Sequence, residues 1–395
     1  MKNIPLKPLP LALCLAVALS CCAPQPPAQS NAAPSPAVSA QAPAESASPS
    51  PEAEDIRLQY ARQFTITPQE DGSTLLSVEN GSRYLVVPEG QEAPGNVEDG
   101  VVVIQQPLDH VYLTATAAMC FFEALDGGEA VRFSGSRQED WSVAYAREAM
   151  ERGDMVFAGK YREPDYELLL SEGCRLSVQS TMIDRLPEVK EKLQELGIPV
   201  LVDRSSFEEH PLGRSEWVKF YGVLLGREAE AQALFEEQVR LLDQVAALPE
   251  TGHSAAYFYF TAEGQPVTRP AGDYIGEMLR LAGVENLLAH VKGQGKSAAV
   301  TMEMEDFYTA AREADFLIYN GDMSGQLEDM EQLIALNPLM ADFKAVKEGN
   351  VWCCRQEMFQ ATLEMGVVIQ DFHTIFSGEG DAPQYLYHLE GRAGQ

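Results

Sequence analysis

Positive charge is scarce in this sequence. It carries 29 Lys and Arg against 59 Asp and Glu, a net charge of -30 over 395 residues. Binding to nucleic acid needs clustered cations that displace counterions from phosphate, so that class of partner is excluded. The usual catalytic patterns are missing too. There is no G-x-S-x-G, no G-x-x-x-x-G-K-[ST], no G-x-G-x-x-G after a strand and no H-E-x-x-H. The six histidines (His110, His210, His253, His290, His373 and His388) are scattered, and none pairs with another at metal-ligand spacing. Of seven cysteines, Cys14, Cys21 and Cys22 fall in the leader, while Cys120, Cys174, Cys353 and Cys354 form no CxxC or Cys/His spacing. A chain of this size needs no disulfide framework. The vicinal Cys353 and Cys354 read as two small buried residues at a strand end, with a redox pair as the alternative. The apolar run 9–19 is too short to cross a bilayer, and no short-period repeat is visible.

What is present fits about two domains with an ordinary apolar content of 45%. Residues 1–22 read as a lipoprotein signal: Lys2 and Lys7, an apolar core, then Ala18-Leu19-Ser20-Cys21-Cys22. Small residues before a cysteine suit acylation of Cys21, with Cys22 as the alternative. A diacylated cysteine holds a protein on a membrane surface. Residues 23–54 are Ala, Pro, Ser, Gln and Glu with little to bury, the composition of a disordered tether.

The folded part, 55–395, alternates strand and helix signals. Segment 56–104 opens it with short strands. Leu75 to Val78 and Tyr84 to Val87 flank Asn80-Gly81, a hairpin signal, and 101–104 is a continuous apolar run that predicts a buried strand. Strands are expected near 111–113, 131–133, 155–157, 176–178 and 199–202, with helices at 115–124, 139–152, 166–172 and 187–196. Residues 209–214 read as a turn, after which Ser215 is expected to cap a helix. A second round follows, with strands at 255–260, 316–319 and 350–353 and helices at 273–282, 304–312, 326–336 and 360–376. Such alternation predicts mostly parallel sheets with helices on their faces.

Between the two rounds lies 227–248, which has apolar residues three and four apart at Ala231, Leu234, Phe235, Leu241, Leu242 and Val245. This is the period of a helix about 30 Å long. The expected organisation is an N-terminal lobe at 55–225, a connecting backbone helix at 226–250 and a C-terminal lobe at 251–395.

A lipobox, a tether and two α/β lobes on one bridging helix resemble the substrate-binding lipoproteins of ABC importers. The likeness is to the helical-backbone (class III) type that serves iron-siderophore, haem and cobalamin uptake, in a clostridial-type branch. Matching stretches are Tyr84-Leu85-Val86-Val87-Pro88, Ala158-Gly159-Lys160-Tyr161, Pro164-Asp165-Tyr166-Glu167, Glu209-His210-Pro211-Leu212-Gly213-Arg214-Ser215-Glu216-Trp217, Gly272-Asp273-Tyr274 and Asp342-Phe343-Lys344 through Val351-Trp352. The resemblance implies an extracytoplasmic, membrane-anchored monomer with no cofactor of its own. It would deliver an iron chelate to a permease dimer driven by a cytoplasmic ATPase. A haem or corrinoid cargo is the alternative, and a surface-anchored α/β hydrolase is the reading from another class.

The resemblance also implies roles for particular residues. Glu167 on one lobe and Glu305 on the other, with Glu303 as competitor, match the carboxylates that dock in permease arginine pockets. Ligand contacts are expected at strand ends facing the other lobe. On the first lobe the candidates are Tyr112, Ser134, Lys160, Tyr161, Ser180, Thr181, Met182 and Arg214. On the second they are Arg269, Tyr274, Met302, Asn320, Gln356 and Phe359. Arg and Lys suit an anionic chelate and aromatics suit stacking. Met182, Met302 and His210 are the candidates for an axial bond to haem iron.

Overall fold

The small N-terminal sheet has strand order β1-β2-β3-β4: β1 (Phe64–Pro68), β2 (Thr74–Val78), β3 (Arg83–Val87) and β4 (Val101–Gln105). The expected hairpin is β2–β3. Its turn is closed by Asn80, whose Oδ1 accepts from the Ser82 N–H at 3.0 Å, and by Gly81 at φ 86°, a conformation that glycine adopts without strain. The expectation of a buried strand at 101–104 is corrected. β4 runs parallel to β3 at the end of the sheet, with Ile104 buried and Val103 39% exposed. A terminal strand packed on one face needs apolar side chains on that face only. These strands come from a computed structural model that describes residues 56–293 and 299–391; the signal, lipobox and tether at 1–54 lie outside them.

The first lobe is a parallel sheet of order β11-β10-β5-β6-β7, made of β5 (Val111–Leu113), β6 (Val131–Ser134), β7 (Val156–Phe157), β10 (Leu176–Ser180) and β11 (Val200–Asp203). A two-stranded hairpin, β8 (Gly159–Lys160) and β9 (Glu163–Pro164), follows β7. The second lobe centres on β12 (Ser254–Phe260), with β13 (Pro266–Thr268), β14 (Glu285–Asn286), β15 (Val300–Thr301), β16 (Phe316–Asn320), β17 (Val351–Cys354) and β18 (Leu386–His388). Its order is β15-β13-β12-β16-β17-β18, with parallel pairing at β12–β16 and β16–β17 and antiparallel strands at the edges.

Alternate residues of each strand serve different cores. In β12, Ala255 and Tyr257 join one core, and Ala256, Phe258 and Phe260 join another. In β5, Val111 and Leu113 join the same core as Ala255, while Tyr112 faces a third. The shared core is therefore a single apolar body that touches the inner face of both sheets.

A pair of helices fills it. The inner helix, Pro211–Leu225, has every residue from Pro211 to Leu224 buried. The connector helix, Glu228–Ala246, buries Ala231, Phe235, Gln238, Leu242 and Val245 along one stripe. Gln238 fits that stripe because its Oε1 accepts the Gly366 N–H at 3.0 Å. Two glycines let the helices fold back on each other. Gly226 ends the inner helix at φ 66°. A Cβ on Gly222 would stand 2.5 Å from the Cβ of Ala231. The expectation of a turn at 209–214 with Ser215 as cap is also corrected. The helix begins at Pro211, with His210 as its N-cap accepting the Leu212 N–H through Nδ1 at 3.1 Å, and Ser215 is buried inside the helix. Proline suits a first helical position because it has no N–H to satisfy.

Two buried carboxylates of this region hold the incoming chain. Glu216 accepts the N–H groups of Gln59, Tyr60 and Ala61 at 2.8–3.1 Å and pairs with Lys219 at 2.8 Å. Glu208 accepts those of Arg62 and Gln63 at 2.8 and 3.0 Å and the Trp217 indole at 3.0 Å. Five successive backbone donors are thus satisfied without a strand partner.

Glu216→Gln should destabilise the fold by roughly 3–5 kcal/mol, because Lys219 is then buried without its counter-charge. Urea unfolding should show a lower midpoint with an unchanged slope. A second outcome concerns acid. Burial works to raise the Asp315 carboxyl, but Lys344 and the N–H and hydroxyl of Ser254 hold it down to about 2. A depressed carboxylate contributes stability above its unfolded value near 3.8 and loses it as pH falls towards 2. Asp315→Asn should therefore flatten the acid limb of stability between about pH 4 and pH 2, read as thermal midpoint against pH.

Candidate functional site

The carboxyl ends of the two sheets face each other. The 3-10 turn after β5, Thr116–Ala118, touches the 3-10 turn after β17, Gln356–Gln360. Gln360 bridges the lobes, donating through Nε2 to Asp140 O and accepting the Ser142 N–H, both at 2.9 Å. Two openings lie between the lobes. One, of about 630 Å³, is bounded by Glu209 and His210 on one side and by Asp273, Glu277 and Asn286 on the other. The other, of about 350 Å³, lies between Cys120 with Ser142 and Arg355 with Tyr385.

At the root of the lobe junction the structure assembles three of the expected residues. The Arg214 guanidinium, on the inner helix, stacks 3.9 Å from the ring centre of Tyr274, the first residue of helix Tyr274–Leu281 in the second lobe. Arg269 approaches the same ring at 5.7 Å and reaches Asp273 at 3.9 Å. A cation over an aromatic face gains more when both are desolvated. Asp273 is held by its own role as helix cap, accepting the Ile275 N–H at 3.0 Å, and burial pushes its carboxyl up although Arg269 pulls it down. Asp203, at the end of β11, is likewise pushed up by burial while accepting from Ser205 and Tyr221 at 2.6 and 2.7 Å. Asn320, at the end of β16, is buried and caps the turn after it by accepting the Asp322 N–H.

The other expected contacts are dispersed. Tyr112 is a core residue whose hydroxyl donates to Gly159 O at 2.8 Å. Ser134 is buried, donating to Ser136 O and accepting from the Trp141 indole. Both belong to the packing of the first lobe: Tyr112 lies with Phe133 on the sheet face away from the shared core, and the hydroxyl of Ser134 is taken up by Ser136 and Trp141. Lys160 is exposed and Tyr161 half-buried on the β8–β9 hairpin. Ser180, the last residue of β10, and Thr181 after it are half-buried, and Met182 is exposed. Met302 and Phe359 are half-buried and Gln356 is exposed. His210 stacks on Tyr60 at 4.4 Å and spends Nδ1 on the cap. Glu167 and Glu305 lie exposed in the first turns of helices Tyr166–Ser171 and Met304–Ala311, with Glu303 just before the second. Tyr257, Gln360 and Thr362 were not singled out from sequence; Gln360 bonds partners about 220 positions away, and no local pattern signals that.

Among the described residues no group of three or more His, Cys, Asp or Glu is placed to hold a metal ion. Cys353 and Cys354 are free and buried.

Two sheets, one parallel and one with a parallel centre, meeting end to end across a buried helix, with cations and aromatics at the junction, define a two-lobed solute-binding protein. The chain belongs to the periplasmic binding protein family, whose model matches residues 123–358. It is a binding protein, not an enzyme. It is 22% identical over 349 residues to the uncharacterized lipoprotein MJ0878 of Methanocaldococcus jannaschii, covering 82% of each chain. Among solved structures it is similar to a periplasmic haem-binding protein of Pseudomonas aeruginosa (TM-score 0.57, 16% identity, 72% of this chain and 99% of that one). It is also similar to the petrobactin-binding protein YclQ of Bacillus subtilis (TM-score 0.57, 12% identity, 78% and 99%). At such identities the structural likeness carries the fold.

Burial pushes the Cys353 thiol up to about 12 and holds Cys354 well above the ordinary thiol range. Neither should react with a thiol reagent at pH 8 in the native protein, and both should react on unfolding in guanidinium, as counted by absorbance.

Proposed function

We propose that this chain is the lipid-anchored, extracytoplasmic receptor of an ABC importer, holding an iron chelate between its lobes and passing it to a permease. The observation that carries the reading is the junction itself: Arg214, Arg269 and Tyr274 gathered where the lobes meet, in a protein of net charge -30. Spending scarce cations there favours an anionic ligand. Further cations follow strand ends on either side, Arg137 over the Phe157 ring at 4.8 Å and Arg355 over Tyr387 at 5.3 Å. Structural likeness to the petrobactin-binding protein supports a ferric siderophore. Likeness to the haem-binding protein supports haem as the second reading, with a corrinoid in the same class. The lipoprotein name of the Methanocaldococcus relative supports the anchor at Cys21 or Cys22.

Delivery falls to Glu167 and Glu305. Both are exposed, and neither they nor Glu303 make an ion pair among the described residues, which leaves them available to permease arginines. The buried helix pair resists bending, so closure about the ligand is small.

A thermal-shift screen of the purified chain against ferric hydroxamate, catecholate and citrate complexes, haemin, cobalamin and free divalent metals tests the cargo. A ligand at 100 times its Kd adds about 2.7 kcal/mol, a rise of several degrees. Stabilisation by none of the chelates would remove this reading. For delivery, the double variant Glu167→Ala, Glu305→Ala should bind its ligand within about twofold of the parent. Its uptake in vesicles carrying the permease should fall by an amount equivalent to roughly 2–5 kcal/mol.

A further inference from the structure

The junction between the inner helix and the second lobe holds a set of polar atoms that the protein does not satisfy. Arg214 Nε, Asn320 Nδ2 and Thr362 Oγ1 are buried and have no hydrogen-bond partner among the described residues, and Tyr257 Oη has only the weak acceptor Cys354 Sγ beside it. Their residues are 7, 1, 1 and 2% exposed. Such atoms are uncommon in a folded protein, and one is costly to leave unmet.

They belong to one layer. Tyr257 and Asn320 lie on the face of the second sheet that looks toward the inner helix, since Tyr257, Ile318 and Cys354 join the shared core and Asn320 pairs with Cys354 in register. Arg214 stacks on Tyr274, and Arg269 lies within electrostatic reach of both Tyr274 and Tyr257. The next residue along from Arg214, Ser215, donates its hydroxyl to Thr362 O at 3.4 Å. The layer is continuous with the surface through Arg269, whose side chain is 19% exposed, and Asp322, which is exposed.

The chemistry of the set is one-sided. Arg214 Nε and Asn320 Nδ2 donate and cannot accept, and the two hydroxyls supply two more donors. Of the carboxylates within electrostatic reach, Asp203 accepts from Ser205 and Tyr221, Asp273 caps its helix, and Asp322 stands at the surface end beside Arg269; none of them is in ion-pair contact with Arg214. What is lacking is an acceptor rich in lone pairs. We infer that this donor layer receives an oxyanion of the cargo, a carboxylate or similar oxygen-bearing anionic group, at the root of the lobe junction. The inference rests on the receptor reading above and narrows its ligand class. The cargo carries a negatively charged oxygen group that projects from its metal-bearing body, and that group is read by Arg214, Tyr257, Asn320 and Thr362.

Calorimetric titration of the full chain with ferric citrate, haemin, haemin dimethyl ester and ferrioxamine tests it, because the last two lack free carboxylates. The expected result is that at least one carboxylated probe binds and that the carboxylate-free probes bind roughly tenfold more weakly or not at all. Arg214→Gln, Asn320→Asp and Thr362→Val should each weaken the carboxylated probe by roughly tenfold. Asn320→Asp keeps the cap and removes the donor, and Thr362→Val keeps the shape. Thr362→Val should melt, without ligand, within a degree or two of the parent, since no internal hydrogen bond of its hydroxyl is lost. Equal binding of haemin and its ester, binding of ferrioxamine alone, variants within twofold of the parent, or a clear fall in the ligand-free midpoint of Thr362→Val would each overturn the donor layer and leave the receptor reading in place. Binding of none of the four would overturn the inference together with its ligand class.

Discussion

Everything in this fold depends on burying one helix on all sides. The inner helix, Pro211–Leu225, carries Trp217, Phe220 and Tyr221, which the hydrophobic effect alone would bury. It also carries Arg214, Glu216 and Lys219, which would not be buried unless matched. The two sheets, the connector helix and helix Met365–Ser377 close around it, so that one apolar core serves both lobes. A single shared core makes the lobes less independent than two domains on a linker, and it gives a physical reason for a stiff molecule.

The charged residues of that helix then dictate what lies next to it. Glu216 and Lys219 neutralise each other, and the remaining lone pairs of Glu216, with those of Glu208, draw in the backbone of 59–63. Tyr60 completes the attachment by stacking on His210 and meeting Phe235 of the connector edge-on. The N-terminal sheet is fastened to the same helix and to the first lobe through Gln106 to Val223 O and Tyr84 to Val200 O. The chain therefore enters the folded body at the element that links its halves.

Arg214 is the third charge, and its position gives the binding reading its content. It has no carboxylate within ion-pair distance; it stacks on Tyr274, with Asp203 and Asp273 at longer electrostatic reach. A guanidinium nine-tenths buried and matched by an aromatic ring is a site waiting for an acceptor, whereas a fully paired one would be a structural brace. The chain has few cations for its net charge of -30, and two of them, Arg214 and Arg269, meet at this junction.

The alternation of apolar runs with helical periods determined, by itself, that two parallel α/β lobes flank a helix. Ala231, Phe235, Leu242 and Val245 fall at the helical period whatever surrounds them, and the strands at 111–113 and 316–319 are continuous runs of aliphatic and aromatic residues. Asn80-Gly81 likewise specified its hairpin through backbone freedom alone. Where the reading differed, tertiary packing decided. The inner helix was not read as the centre because an element buried on every face has no polar side and so no amphipathic period; its start at Pro211 was taken for a turn for the same reason. β4 looked buried because apolar content does not reveal which strand ends a sheet. Of the site, Arg214, Arg269, Tyr274 and Asn320 were suggested by residue type, but their grouping was not, nor was any role for Tyr257, Gln360 or Thr362. Some of those residues meet across as many as 220 positions of chain, and only the closing of both sheets onto one helix brings the donors to a common layer.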